Sequence, residues 1–244
     1  MEIRICKDRY ELGKSAAKFV ASLINAAIAE KGSARIVLST GASQFDTLAS
    51  LITQPVDWTK VEMFHLDEYI DLPETHPASF RKYLKEKFTS LVPLKAAHFV
   101  DGTKENIAHL SRLINEAEID VGLIGIGENS HIAFNDPPAD FDTDDPYIVV
   151  NLNDTCKLQQ VGEGWFAAVD DVPKQAVSMS CRQIMKCRHI VSCVPYPVKA
   201  AAVKLTLESE LSNTVPATLL KTHENFTLYI DSDSASLLDL PVRW

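Results

Sequence analysis

The segment from residues 125 to 136 places polar and titratable side chains where a strand ends. It follows the apolar run Val121–Ile124, which predicts a buried strand. A Gly-x-Gly turn that ends at Gly127 allows the backbone to approach a ligand closely. His131 stands five residues before Asp136, whose carboxylate could hold or charge the imidazole. The segment therefore predicts one corner of an active site.

Two adjacent carboxylates, Asp67 and Glu68, follow the apolar run Val61–Leu66, which predicts another strand. Charged groups avoid the ends of buried strands unless they are paired or used in chemistry. Strand alternation points neighbouring side chains to opposite sides, so we expect the two carboxylates to have different roles. Either one would act as a general base if burial raised its pKa toward neutrality. The alternative is a surface turn with a helix-capping acid.

A turn rich in hydroxyls and small residues links the predicted strand Arg35–Leu38 to the predicted helix Phe45–Leu51. Backbone N–H groups and hydroxyls at a helix N-terminus suit a phosphate, although ordinary helix capping explains the same residues. The turn matches neither a Walker A loop nor a dinucleotide fingerprint, which limits the ligand to a small one. The candidate binding residues are Ser39, Thr40, Gly41, Ala42 and Ser43.

Lys199 follows the run Val194–Val198 at a predicted strand-to-helix junction. A lysine in the first turn of a helix opposes the helix dipole and therefore gains from a bound anion. A solvated lysine is the alternative. His223, shortly before the last predicted strand, is a weaker candidate for orienting or covering a ligand.

Composition narrows the class of partner. The 244 residues carry a net charge of −9 without a long basic run, which argues against nucleic acid and anionic membranes as partners. Five cysteines without Cys-x-x-Cys spacing indicate inert thiols in a reducing compartment rather than zinc ligands. The sequence shows neither a signal peptide nor a run long enough to span a membrane, so we expect a cytoplasmic protein.

The alternation of strands and helices predicts one α/β domain over residues 1–244. We expect a doubly wound, mostly parallel, Rossmann-like sheet flanked by helices, with the site at the carboxyl ends of its strands. The remaining predicted helices are Tyr10–Lys31, Pro77–Phe88 and Val198–Leu207, and the remaining predicted strands are Tyr147–Leu152, His189–Val194 and Phe226–Ile230.

Taken in chain order, these segments resemble the glucosamine-6-phosphate deaminase (isomerase) family, which is related to the 6-phosphogluconolactonases. The similarity covers nearly the whole chain. The string His-Ile-Ala-Phe-Asn is typical of the deaminases, since lactonases typically have Asp-Gly-His-Thr-Ala-Ser there. The matching pieces are Ser39-Thr-Gly-Ala-Ser43, Phe64-His-Leu-Asp-Glu-Tyr69, Gly125-x-Gly-x-x-x-His-Ile-Ala-Phe-Asn-Asp-Pro137 and Lys199.

The resemblance implies a role for each matching residue. Asp67 would be the base that moves a proton between C2 and C1 of the open-chain sugar, and Glu68 would shape its environment. His131 would catalyse ring opening with support from Asp136, which stands where the family has Glu. The turn of residues 40–43 and Lys199 would hold the 6-phosphate, and Ser39, Gly127 and Gln160 would contribute to substrate binding. The reaction would require no metal or organic cofactor.

Besides the aspartate at position 136, two further departures from the family pattern affect the expected site. Asn129 replaces the family's Asp, and we expect it to hold the imidazole by a hydrogen bond without stabilising its charge; Ser130 replaces a Gly. The family's phosphate-binding Arg has no clear counterpart in the following region. The candidates to replace it are Lys157, Gln160 and Arg182.

The expected function is conversion of glucosamine-6-phosphate to fructose-6-phosphate and ammonia, by isomerisation coupled to deamination. The alternatives are a sugar-phosphate lactone hydrolase, an isomerase with altered catalysis and a sugar-phosphate sensor. Because residues 140–145 are strongly acidic, we expect no activation by an anionic effector there. The sequence leaves open whether the protein is a monomer or a homo-oligomer.

Overall fold

A parallel sheet of seven strands crosses the computed structural model, which describes residues 1–162 and 164–239. Each neighbouring pair of its strands is parallel. In spatial order the strands are β1 (Glu2–Cys6), β10 (Phe226–Asp231), β9 (His189–Val194), β6 (Val121–Leu123), β2 (Ala34–Leu38), β3 (Val61–His65) and β5 (Ala96–His98).

The strand order reverses between β2 and β6. From β2 the chain runs outward through β3 and β5, then returns to β6 on the other side of β2 and continues outward through β9 and β10. The backbone N–H of Ser39 donates to the carbonyl of Leu123 at 3.0 Å, so the two strand ends stay together while the following loops diverge. Such a reversal creates a crevice outside the carboxyl ends of the strands.

Seven α-helices flank the sheets in the described residues, and two hydrophobic clusters fill opposite faces of the parallel sheet. The first cluster contains side chains of α1, α2 and α3, and the second contains side chains of α4, α6 and α7. The helices are α1 (Arg9–Lys31), α2 (Phe45–Leu51), α3 (Phe80–Leu84), α4 (Lys104–Ile114), α5 (Asp154–Gly162), α6 (Cys181–Ile184) and α7 (Ala200–Glu208).

A smaller antiparallel sheet is joined to the parallel sheet at Leu66. It consists of β4 (Asp67–Tyr69), β8 (Gln175–Met179) and β7 (Tyr147–Asn151). The Leu66 N–H donates to the carbonyl of Leu38 at 3.2 Å, and the Leu66 carbonyl accepts from Met179 at 2.9 Å. One residue therefore bonds to both sheets, and Asp67 begins the strand immediately beyond this junction.

The predicted doubly wound, mostly parallel sheet is confirmed, but three elements differ from the sequence expectations. The predicted strand Val61–Leu66 ends at His65, because the chain passes there into the second sheet. The strand at 147–152 belongs to that antiparallel sheet. The predicted helix Pro77–Phe88 begins only at Phe80, after Ser79 caps it, and ends in the π-helical turn Lys85–Thr89.

The five cysteines are all buried and free, as predicted for inert thiols. Burial raises the pKa of the Cys193 thiol to about 12, which keeps it protonated and unreactive at neutral pH. Within residues 1–162 and 164–239, no helix has the length and apolar character needed to cross a membrane.

Close packing of α1 on α2 depends on Gly13. A Cβ atom at this position would lie 2.7 Å from the backbone carbon of Asp46. Glycine-to-alanine changes inside a helix usually stabilise it by about 0.5–1 kcal/mol, whereas overpacking costs about 1–3 kcal/mol. We therefore expect Gly13→Ala to lower the free energy of unfolding in urea by about 1–2 kcal/mol. As a control, Lys14→Ala at the exposed neighbouring position should change the free energy of unfolding by no more than about 0.5 kcal/mol. A higher free energy of unfolding in Gly13→Ala would contradict this close packing.

Candidate active site

A cavity of about 200 Å³ lies where the loops after β2 and β6 diverge. It contains most of the residues that the sequence singles out, although they are spread over more than half of the chain. Glu68, Asn129 and Asp136 do not line it and lie behind its wall. The predicted residues that line it are Ser39, Thr40, Gly41, Ala42, Ser43, Asp67, Gly127, His131, Gln160 and Lys199.

Asp67 presents a nearly buried carboxyl group to this cavity, with 6% of its surface exposed. Burial raises its pKa from 3.8 to about 8, and the neighbouring Glu68 carboxylate contributes to the rise. Ionisation near neutral pH is the property required of a general base that takes a proton from carbon. The junction at Leu66 fixes where this carboxyl group points.

Glu68 occupies a different environment, as strand alternation predicts. Its fully buried carboxylate accepts hydrogen bonds from the Ser79 hydroxyl at 2.9 Å and from the Arg81 N–H at 2.8 Å. The Arg81 guanidinium lies 3.4 Å away. Burial raises the pKa of Glu68, while these donors oppose the rise. Glu68 thus fastens the start of α3 to β4, away from the cavity.

His131 stands in a tight turn whose backbone closes on itself. The Gly127 N–H donates to the His131 carbonyl at 2.9 Å, and the His131 N–H donates to the side chain of Asn129 at 3.1 Å. The His131 Nδ1 lies 3.1 Å from Asp136 Oδ1. Contact at Nδ1 leaves Nε2 as the ring nitrogen available to a ligand.

Asp136 is the anionic support of this imidazole. Burial disfavours its ionised form, but the contact with His131 and a hydrogen bond from the Asn129 amide outweigh that effect and lower its pKa. The amide donates to Asp136 Oδ1 at 3.1 Å. The aspartate side chain therefore reaches the ring although it is one methylene shorter than glutamate. The expectation that Asn129 holds the imidazole ring is wrong, because its contacts are to Asp136 and to the backbone of His131.

Ser130 adopts the left-handed backbone conformation, with φ of 64°. This conformation costs a non-glycine residue roughly 1 kcal/mol, so it persists only where neighbours fix it. The Ser130 carbonyl accepts from Ala217 at 2.9 Å and its hydroxyl donates to Ala202 at 3.4 Å. Contacts to Ala202 of α7 and to Ala217 therefore hold the turn that carries His131.

The cavity also contains polar groups suited to an anion. Ser39 Oγ and Gln44 Oε1 are buried without a hydrogen-bond partner in the described part of the chain, although such groups are almost always satisfied. Gly41 turns the chain with φ of 99°, so that the following 3₁₀ turn and α2 begin at the cavity. Lys199, only 8% exposed, lines the same cavity from the 3₁₀ turn that precedes α7.

Three predicted candidates lie elsewhere. Arg182 donates to Asp144 at 2.5 Å in the exposed acidic segment, outside the cavity. Lys157 does not line the cavity, whereas Gln160 does. His223 contacts the Cys187 carbonyl and the Asn225 N–H, so the expectation that it covers the ligand is wrong. Trp165, which follows α5, also lines the cavity.

Sequence reasoning missed the aromatic wall of the cavity. Phe45, Phe80 and Tyr83 come from α2 and α3, and Tyr196 comes from the loop after β9. Aromatic side chains in helices usually predict ordinary core packing, so the sequence gave no indication that these residues line a cavity. Tyr196 alone carried one, since it stands between two prolines at a predicted strand end.

The comparison with known families decides the affiliation. A family model described as glucosamine-6-phosphate isomerases/6-phosphogluconolactonase matches residues 7–229. The chain belongs to this family. This match confirms the resemblance that the sequence motifs indicate.

Individual relatives agree with the family assignment. The glucosamine-6-phosphate deaminase of Staphylococcus epidermidis is 34% identical over 234 residues, which cover 91% of this chain and 95% of that protein. The structure of a monomeric glucosamine-6-phosphate deaminase matches 97% of this chain and 100% of its own, with a TM-score of 0.88 and 29% identity. A 6-phosphogluconolactonase from Thermotoga maritima shares the fold at 16% identity, with a TM-score of 0.78, over 94% of this chain and 99% of that one.

Gly127 leaves room for the imidazole. A Cβ atom at this position would overlap three atoms of the His131 ring. We expect Gly127→Ala to push the ring away from Asp136 and to lower kcat by at least about tenfold, since a misplaced catalytic group is that costly. Steady-state kinetics and a thermal melt would test this.

Gly125→Ala is the matched control for that experiment, because its Cβ would meet its nearest neighbour, Gln44, at an ordinary 3.5 Å. Its effect on kcat should be much smaller. Equal losses in the two variants would show that the loss does not come from displacement of His131.

Burial of Asp67 makes stability depend on pH in a defined direction. The folded-state pKa of about 8 exceeds the unfolded-state value near 3.8. Between these pH values the Asp67 carboxyl group ionises only in the unfolded state, so the free energy of unfolding falls as the pH rises. Above pH 8 the group is ionised in both states, and its destabilising effect no longer changes with pH. The free energy of unfolding of Asp67→Asn should therefore equal that of the wild type near pH 4 and exceed it at pH 8. The difference should grow by at most about 1.4 kcal/mol for each pH unit above the unfolded-state pKa. A stability difference independent of pH, measured by thermal unfolding, would contradict the raised pKa.

Proposed function

We propose that this protein is a glucosamine-6-phosphate deaminase, which converts glucosamine-6-phosphate and water to fructose-6-phosphate and ammonia. The observation that carries the proposal is one cavity that holds Asp67, with its raised pKa, and His131 backed by Asp136. The polar turn of residues 39–43 and Lys199 line the same cavity. An acid–base pair and an anion subsite in one small space fit a phosphorylated sugar.

The phosphate subsite orients the sugar. The phosphate accepts hydrogen bonds from the hydroxyls and N–H groups of the turn at residues 39–43 and pairs with the Lys199 ammonium. This group does not react. Its binding energy instead fixes the reacting carbons relative to the catalytic groups, which lowers the entropic part of the barrier.

His131 opens the pyranose ring. Its Nε2 moves the proton between the anomeric hydroxyl and the ring oxygen, so that C1 becomes an aldehyde and the ring C–O bond breaks. Asp136 orients the ring, because its carboxylate lies 3.1 Å from Nδ1 and leaves Nε2 to face the sugar. The open-chain amino aldehyde then lies within reach of Asp67.

Asp67 carries out the isomerisation. Its carboxylate removes the proton from C2 while the aldehyde oxygen takes up a proton, which gives an enolamine. Asp67 then returns its proton to C1 while the amino group gives up a proton, which gives an imine at C2. Water adds to this imine and ammonia leaves, so that C2 becomes the ketone of fructose-6-phosphate. A pKa of about 8 gives a base that accepts a proton from carbon and releases it again at neutral pH. Glu68 acts only through its position next to Asp67.

Ammonia release from glucosamine-6-phosphate, followed in parallel with fructose-6-phosphate, tests the proposal. We expect both products at equal rates in the wild type and a loss of at least about a thousandfold in Asp67→Asn, since an amide cannot take the proton. Saturation should be hyperbolic and indifferent to N-acetylglucosamine-6-phosphate, because residues 140–145 repel anions.

Two results would contradict this function. Hydrolysis of 6-phosphogluconolactone without ammonia release would indicate the lactonase alternative. Thermal stabilisation by glucosamine-6-phosphate without turnover would indicate a sensor or an isomerase with altered specificity.

The cytoplasmic location expected from the sequence stays a prediction.

A further inference from the structure

Tyr196 has a backbone conformation that a bulky side chain rarely adopts. Its φ is 85°, which costs such a residue about 1–3 kcal/mol unless the surroundings impose it. The side chain of Asp231, only 2% exposed, accepts the Tyr196 N–H at 3.2 Å, and Pro197 follows. A buried acceptor therefore fixes the strained conformation, and Tyr196 is one of the residues that line the cavity.

The Tyr196 hydroxyl joins the turn at residues 39–43 to a positive charge. It donates to the Ala42 carbonyl at 3.3 Å, which is long for an O–H donor. It accepts from Arg9 Nη1 at 3.2 Å. A single hydroxyl group thus separates the guanidinium at the start of α1 from the turn suited to phosphate.

Arg9 keeps its place through three neighbours. Besides Tyr196, its guanidinium donates to the Tyr10 hydroxyl at 2.6 Å and lies 3.5 Å from Asp46 Oδ2. The Arg9 side chain is 40% exposed and that of Asp46 is 27% exposed, so solvent weakens their pairing. Asp46 therefore offsets part of the Arg9 charge at the turn.

We propose that Tyr196 and Arg9 extend the phosphate subsite. The Tyr196 hydroxyl transfers its hydrogen bond from the Ala42 carbonyl to a phosphate oxygen of the substrate. Arg9 acts behind it as a positioning residue, since it holds the hydroxyl and adds a second positive charge to that of Lys199. This inference rests on the proposed function only for the identity of the anion, a sugar phosphate.

Binding of inorganic phosphate to the whole protein, measured by calorimetry without turnover, tests the subsite directly. Loss of a hydrogen bond to a charged group should raise the Kd about tenfold in Tyr196→Phe. Loss of the partly exposed charge should raise the Kd about two- to fivefold in Arg9→Met. The second effect should shrink as salt is added, because salt screens exposed charges.

Kinetics with glucosamine-6-phosphate separate binding from structural damage. The ratio kcat/KM should fall in both variants by a factor at least as large as the rise in the Kd, because the phosphate contacts also orient the reacting carbons. Arg9→Lys should restore most of the loss because the charge remains. Asp46→Asn should act in the opposite direction and tighten phosphate binding, which a merely structural role of Arg9 does not explain.

Arg182→Met is the matched control, since Arg182 is 42% exposed, pairs with a single aspartate and lies outside the cavity. Its phosphate affinity and KM should equal those of the wild type. Unchanged phosphate affinity in folded Tyr196→Phe and Arg9→Met proteins would overturn the inference, and so would a wild type that does not bind phosphate. A wild type that binds phosphate but releases no ammonia would instead contradict the proposed function alone.

Discussion

The divergence of the chain between β2 and β6 is the constraint on which the site depends. Parallel strands end at one edge, so their following loops meet there, and the reversal of strand order opens a crevice between them. The loop after β2 brings polar groups for an anion, and the loop after β6 brings His131. The junction at Leu66 then directs a third segment, which carries Asp67, into the same crevice. The sheet thus brings polar and titratable side chains from distant parts of the chain into one cavity.

Burial of the Asp67 carboxyl group opposes stability. Removing Asp67 from water disfavours its charge, and the neighbouring Glu68 adds to that cost. On the other side of the strand, Glu68 accepts several hydrogen bonds and contacts Arg81, and these interactions offset part of the free-energy cost of burying the two carboxyl groups. Activity and stability therefore make opposite demands on two consecutive residues, a common feature of active sites.

Strong local patterns made the parallel sheet and most candidate residues predictable from sequence. Apolar runs marked β2, β3, β6 and β9, and polar residues at their ends marked the crevice. The antiparallel sheet was not predictable, because its strands lie far apart in the chain and pair only through tertiary contacts. The same reason hid Tyr196, whose role depends on Arg9 from the first helix. The contacts of Asn129 were missed because they depend on how the turn folds back rather than on residue spacing.

The bonds of Glu68 have a further consequence for β4. Neighbouring side chains of a strand point to opposite faces, so a slip of one residue in the pairing of β4 with β8 would exchange the two carboxylates. Short strands hold their alignment weakly, and β4 has only three residues. The anchoring of Glu68 to Ser79 and Arg81 forbids that slip. Glu68 thereby fixes the register of β4, so that Asp67 rather than Glu68 faces the cavity.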